Sequence, residues 1–189
     1  MGSVILNAPV NNFPQILQKT LSYEGNANFD PSGPSKFGIL ERNYQSYLKE
    51  NGGRLKTIDK ITLPEATDIY SKNYYYSNNL DKLPHRTSGV IFDWVVNSGQ
   101  KNSIPAVQRI IGATPDGKIG PKTIEAINNY IGKNGEDVLI DNILNQRRDY
   151  LERYVIPKQP QNANGLRNRV NRVEQDYLRV NYGIRNLKQ

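Results

Sequence analysis

Apolar side chains return at every third or fourth position through most of this 189-residue chain, a period that suits helices packed on one another and little else. Phe13, Ile16, Leu17, Thr20 and Leu21 form one such stripe behind Asn12, which reads as its cap. Gly25 stops it, and the stretch from 25 to 38, with three glycines and two prolines, reads as a loop or short hairpin. Residues 39 to 50 read as a helix ended by Gly52-Gly53, and Thr62-Leu63-Pro64-Glu65 is a capping box opening a helix from about 64 to 76. Pro84 opens another, carrying Val90, Ile91, Trp94 and Val95 and closing at Asn97-Ser98-Gly99. Ser103 reads as the cap of the next, with Val107, Ile110 and Ile111 on one face. Pro115-Asp116-Gly117 is a turn, and Pro121 starts a helix bearing Ile124, Ile127 and Ile131. A longer helix from about 136 to 155 and a last one marked by Leu166, Val170, Val173, Tyr177 and Val180 complete the pattern. The expected fold is mainly α, with at most a small β-hairpin near residues 25–40.

This length buries a proper core as one domain, or one domain with a small lobe. There is no cysteine, which excludes disulfides, a thiolate nucleophile and a cysteine-built zinc site. His85 is the only histidine, so a catalytic triad and a multi-histidine metal site are not expected. Neither a metal nor an organic cofactor is expected. The balance of 25 Lys and Arg against 18 Asp and Glu gives a net charge of +7, which suits a polyanionic partner: nucleic acid, an anionic membrane or the bacterial wall. A solvated basic surface is the plain alternative. No apolar run approaches the ~18 residues that span a bilayer, so membrane insertion is not expected. The N-terminus lacks the basic n-region of a secretory signal, and export by another route is expected.

Several residues have the chemistry of a glycan-cleaving site. Glu24 stands where a helix runs into a Gly-rich loop beside Tyr23, with Phe29 near in sequence. An apolar wall there would keep its carboxyl protonated and able to donate to a glycosidic oxygen. From position alone it reads first as a surface residue at a helix end. Asp30 offers a second carboxylate, or simply a turn residue before Pro31. Tyr70, Tyr74, Tyr75 and Tyr76 cluster so that all cannot face the core; Tyr74 and Tyr75 are candidates to line a sugar groove. Trp94 reads as core, Asp93 as structural, and Asp116-Gly117-Lys118 as a tight turn rather than a calcium loop. Arg147, Arg148, Arg153, Arg167, Arg169 and Arg172 read as a grip on an anionic wall or as a solvated helix face.

The order Glu24-Gly25, Asp30-Pro31, Gly33-Pro34-Ser35-Lys36-Phe37-Gly38-Ile39 resembles the E-G-G-Y, D-P and G-G-x-T-x-x-G-I signature of glycoside hydrolase family 108, whose members are N-acetylmuramidases. Phe92 to Gly99 is similar to the family's F-D-x-A-V-N-x-G. Gln108 through Thr123, with D-G-x-x-G-x-x-T at Asp116, Gly117, Gly120 and Thr123, resembles the predicted peptidoglycan-binding segment that follows in such proteins. Gly165 to Arg169 is similar to that segment's G-W-x-x-R ending. Here Asn26 replaces the second glycine, the acidic stretch before the third motif is shorter, and Ser35 stands where threonine is usual, keeping a hydroxyl with a freer rotamer.

The resemblance implies a lysozyme-like α-helical fold, with residues 1–100 the catalytic part and 101–189 a helical peptidoglycan-binding part packed on it. It implies a muramidase with Glu24 as general acid and Asp30 or Ser35 positioning water, with Tyr23, Tyr74, Tyr75 and Asn97 binding substrate. The expected partner is bacterial peptidoglycan, met in the periplasm or cell wall by a secreted or phage-delivered monomer, with an immunity protein or export machinery as further partners. A non-catalytic wall binder, a lytic transglycosylase and a basic nucleic-acid binder are the rival readings; motif order speaks against the last.

Overall fold

The structure is a computed structural model that describes residues 12–23, 29–30 and 33–178, with residues 29, 30 and 33 described by backbone alone. Among these the fold is mainly α, as the spacing predicts, with a small antiparallel sheet of order β1-β2-β3. Helix α1 (Phe13–Tyr23) leads to strands β1 (Phe29–Asp30), β2 (Gly33–Lys36) and β3 (Ile39–Leu40). Then come α2 (Glu41–Glu50), α3 (Leu63–Tyr70), α4 (His85–Ser98), α5 (Gln100–Ile110), α6 (Pro121–Asn134), α7 (Glu136–Tyr150) and α8 (Ala163–Tyr177). No described helix is long and apolar enough to cross a membrane.

Helix α4 is the hub. From Thr87 to Val95 every residue is buried, and α1, α5, α7 and α8 all pack on it. Val90, Ile91, Trp94 and Val95 are enclosed, as expected of that stripe, and so is Phe92. Gly89 is required rather than permitted: a Cβ there would penetrate the ring of Tyr177 on α8. Arg86 and Thr87 meet Glu136 while Asp93 meets Arg147, so α4 and α7 run in the same direction.

Between β2 and β3, Phe37 and Gly38 both take positive φ, +55° and +73°, the backbone of a two-residue hairpin turn. A non-glycine residue pays about 1 kcal/mol or more for that conformation. The hydroxyl of buried Tyr70 donates to the Phe37 carbonyl at 2.8 Å, and the Lys36 ammonium donates to the carbonyls of Asp59 and Ile61, which hold the tip against α3 and the loop before it.

The capping box stands as read: Glu65 donates its N–H to Thr62 Oγ1, and the Thr62 N–H returns to the Glu65 carboxylate. Four readings need correction. Ile39 and Leu40 belong to a strand, so the helix read from 39 starts at Glu41. The helix read to 76 leaves α geometry after Tyr70, passing through a π turn (Ser71–Tyr75) and a 3-10 turn (Tyr76–Asn78). The helix read to 155 ends its α geometry at Tyr150 and continues as a π turn (Leu151–Val155). Ser103 is not a cap; α5 begins at Gln100 after Gly99, whose φ of +81° breaks the chain from α4, and Ser103 is buried inside α5 with its hydroxyl donating to the Gly99 carbonyl.

The turn at Asp116-Gly117 is built around buried Gln108. Its amide donates to Asp116 Oδ1, the Lys118 carbonyl and Thr123 Oγ1, and its oxygen accepts from the Gly117 N–H. The acidic, glycine and threonine positions of that motif are thus one side-chain clamp.

Candidate active site

In sequence the hydrolytic candidates fall between the end of α1 and strand β2. Tyr23 is the last residue of α1, and Glu24 follows it in sequence but lies outside the described residues. Asp30 ends β1 with its Cα paired to Gly33; its side chain is likewise outside the description. Ser35 sits half-buried in β2, paired with Leu40 of β3, so its hydroxyl belongs to the hairpin that follows Asp30.

Tyr23 is not an open sugar platform. It is buried, its hydroxyl donates to the Asp176 carboxylate, and the Arg172 guanidinium lies 5.1 Å from the ring centroid. Burial first, then the hydrogen bond and charge of Asp176, hold the phenol far above its ordinary pKa, so it stays a proton donor to Asp176. Tyr75 is also corrected: it is 3% exposed, wedged against Phe13, Tyr76 and Phe92, and accepts a hydrogen bond from Ser88. Its ring belongs to the core.

Tyr74 behaves differently. The π turn after α3 leaves it half-buried at the wall of a cleft of about 300 Å³, together with Asn43, Ser46, Asn73, Asn78 and Gln100. Burial raises the Tyr74 hydroxyl, and a hydrogen bond from Asn43 works against that rise. Ile69 and Val95 supply the apolar part of the lining. Carboxamides and hydroxyls around a tyrosine ring offer neutral donors and acceptors beside one apolar face, which suits an N-acetylated sugar. The Asn and Gln residues escaped the sequence reading. The signal was present in α2, whose only buried residues are Tyr44 and Leu48, leaving Asn43 and Ser46 at i, i+3 for another purpose.

At the far end of α4, Asn97 accepts from Arg147 Nη2 at 3.2 Å. Arg147 also donates to Asp93 at 2.7 Å, and Arg169 grips the same carboxylate through Nε at 3.1 Å and Nη2 at 2.9 Å. All three are buried. Burial would raise the Asp93 carboxyl, but the two guanidinium charges and their hydrogen bonds outweigh it and hold the group below the ordinary carboxylate range. Asp93 is structural as expected, although its partners are arginines rather than backbone.

Of the six arginines, Arg147 and Arg169 leave the reading of a wall grip or a solvated face, because both are buried on Asp93. Arg148 pairs with Glu174, Arg153 with Asp149 and Arg167 with Glu152, but these side chains stay 33%, 68% and 50% exposed, as on a solvated helix face. Among the described residues no group of three His, Cys, Asp or Glu side chains is placed to hold a metal.

Comparison with known proteins divides the chain just after α4. Residues 17–99 match the family model described as glycosyl hydrolase 108, and residues 102–174 match the one described as Predicted Peptidoglycan domain. Among solved structures, that of Brucella abortus SagA is similar, with a TM-score of 0.72 and 26% identity over 88% of this chain and 93% of that one. Comparison with curated proteins gave no match.

Proposed function

We propose that this chain, whose residues 17–99 match the glycosyl hydrolase 108 model and whose residues 102–174 match the Predicted Peptidoglycan domain, is a glycoside hydrolase directed at peptidoglycan and, more finely, an N-acetylmuramidase. It hydrolyses the β-1,4 bond between N-acetylmuramic acid and N-acetylglucosamine. Residues 1–100 form the catalytic part, and 101–189 complete its fold and add wall affinity. The observation that carries this reading is the order of the family's polar residues on the local frame: Glu24 directly after the last residue of α1, Asp30 at the end of β1 and Ser35 in β2.

In this mechanism Glu24 protonates the departing glycosidic oxygen. Positive charge then develops at the anomeric carbon, and Asp30, with the Ser35 hydroxyl, holds the water that completes hydrolysis. Tyr74 packs against a pyranose in the cleft while the surrounding carboxamides bond its acetamido and hydroxyl groups. Asn97, oriented by Arg147, contributes a further polar contact. The enzyme works as a monomer on the wall, in the periplasm or outside the cell, without inserting in a membrane, and is delivered by secretion or by phage; an immunity protein or export machinery would be its protein partners.

The test is mass spectrometry of fragments released from purified sacculi by the native chain and by Glu24→Gln. Reducing muropeptides ending in muramic acid are expected from the native chain, with a rate lower by about 10²- to 10⁴-fold in the variant. Products ending in 1,6-anhydro-muramic acid would make the enzyme a lytic transglycosylase, and binding without release by the native chain would make it a non-catalytic wall protein.

A further inference from the structure

Among the described residues Tyr154 is the most exposed of the large apolar side chains, at 59%, and it is not an isolated surface ring. It stands 5.9 Å, centroid to centroid, from half-buried Tyr150, with the ring planes 37° apart. Tyr150 in turn rests on fully buried Trp94 of α4, 6.3 Å away. Tyr150 ends α7 and Tyr154 lies four residues on in the π turn from Leu151 to Val155, a spacing that puts both rings on one face of the chain. Single exposed rings are ordinary, but two side by side and backed by a buried indole form a firm, partly apolar shelf with hydroxyls at its edge.

The shelf lies at the same end of α4 as Asn97. Tyr150 follows Arg147 by less than one turn of α7, and Arg147 is bonded to Asn97. It also lies within residues 102–174, the segment that matches the Predicted Peptidoglycan domain. Resting on the reading of this chain as a peptidoglycan hydrolase, we propose that Tyr150 and Tyr154 form a second pyranose-binding subsite. It takes a sugar of the glycan strand away from the scissile bond. Tyr154 supplies the open stacking face, Tyr150 the flank, and Trp94 the rigid backing. The ligand class is an N-acetylated β-1,4 hexosamine chain, recognised by its apolar ring face and not by charge, since the neighbouring Arg153 is paired with Asp149.

The experiment is co-sedimentation with purified sacculi and, separately, with glycan strands stripped of their stem peptides. It compares the full chain carrying Glu24→Gln with the same chain carrying Tyr154→Ala, Tyr154→Phe or Tyr154→Trp in addition, each checked for an unchanged melting temperature. Tyr154→Ala should weaken binding to both materials by about 10-fold, while Phe and Trp retain it. Equal binding by the Ala variant, or a loss confined to material that keeps its stem peptides, overturns the subsite. Either result leaves the hydrolase reading standing, because that reading fails only on the fragment analysis of the native chain.

Discussion

The two ends of α4 use the same chemistry, arginine against carboxylate across the join between the two family segments, yet bury it very differently. At the N-terminal end Arg86 reaches Glu136 at 2.9 Å and Asp137 at 2.5 Å, with side chains 20–32% exposed. Glu136 also accepts from the Thr87 N–H and hydroxyl, so a residue of α7 caps the first turn of α4. At the C-terminal end Asp93 and Arg147 are fully enclosed and Arg169 nearly so. A solvated clamp holds two helices together at small cost and small gain. A buried one tolerates a single arrangement, because any displacement leaves a desolvated charge without its partner. The first end therefore fastens the segments and the second sets their register, next to the Asn97 contact that the proposed mechanism uses.

The largest effect that would break this comparison comes from Asp93→Ala. It strands two guanidinium groups and should cost about 3–5 kcal/mol, seen as a fall in melting temperature of roughly 10 °C for a chain of this size. A loss below 1 kcal/mol would show that the burial is not decisive. Next comes the dependence on acid. The folded-state carboxyl of Asp93 is depressed, so its contribution is complete above the unfolded value near 4 and is lost as pH falls through the lower, folded value. Melting curves against pH should steepen below about pH 4, and Asp93→Asn should flatten that limb. Burial, and to a lesser degree Lys19, lowers His85, so the folded state binds its proton less readily and stability should rise as pH climbs toward about 6.5. The smallest effect is expected at the solvated end: Glu136→Ala should cost about 1 kcal/mol and lose part of that difference in 1 M NaCl, whereas the Asp93 effect should be indifferent to salt.

Legibility followed the range of the interaction. Local signals were reliable: the apolar stripes of α1, α4 and α6, the Thr62–Glu65 box and the turn at Asp116 are each written within a few residues. The hairpin was visible as a glycine and proline cluster, though not the pairing of Ile39 and Leu40 that shortens the following helix. The π turns at 71–75 and 151–155 were not, because five residues cannot separate a period of 4.4 from one of 3.6. Asp93 meets its arginines 54 and 76 positions away, and arginine spacing along one helix says nothing of a carboxylate on another. Ser103 was misread as a cap because a serine before an apolar stripe looks the same whether the helix starts there or one turn earlier. Of the candidate site, the family motifs pointed to Glu24, Asp30 and Ser35, whereas the cleft beside Tyr74 is assembled from α2, α3, the two turns after it, α4 and α5, and has no single motif to betray it.

Gly89 and Tyr177 form a matched pair that divides volume between the two segments. Neither position can drift by itself toward the other's size: a methyl at 89 meets the tyrosine ring, and shrinking Tyr177 opens a void against α4. Exchange between the halves of related enzymes is thereby constrained. A foreign C-terminal half joined to this α4 must bring a ring that leaves room for a bare backbone at position 89. A foreign N-terminal half must bring a glycine, so swapped chimaeras should succeed or fail on this one pairing before the chemistry of either half is reached.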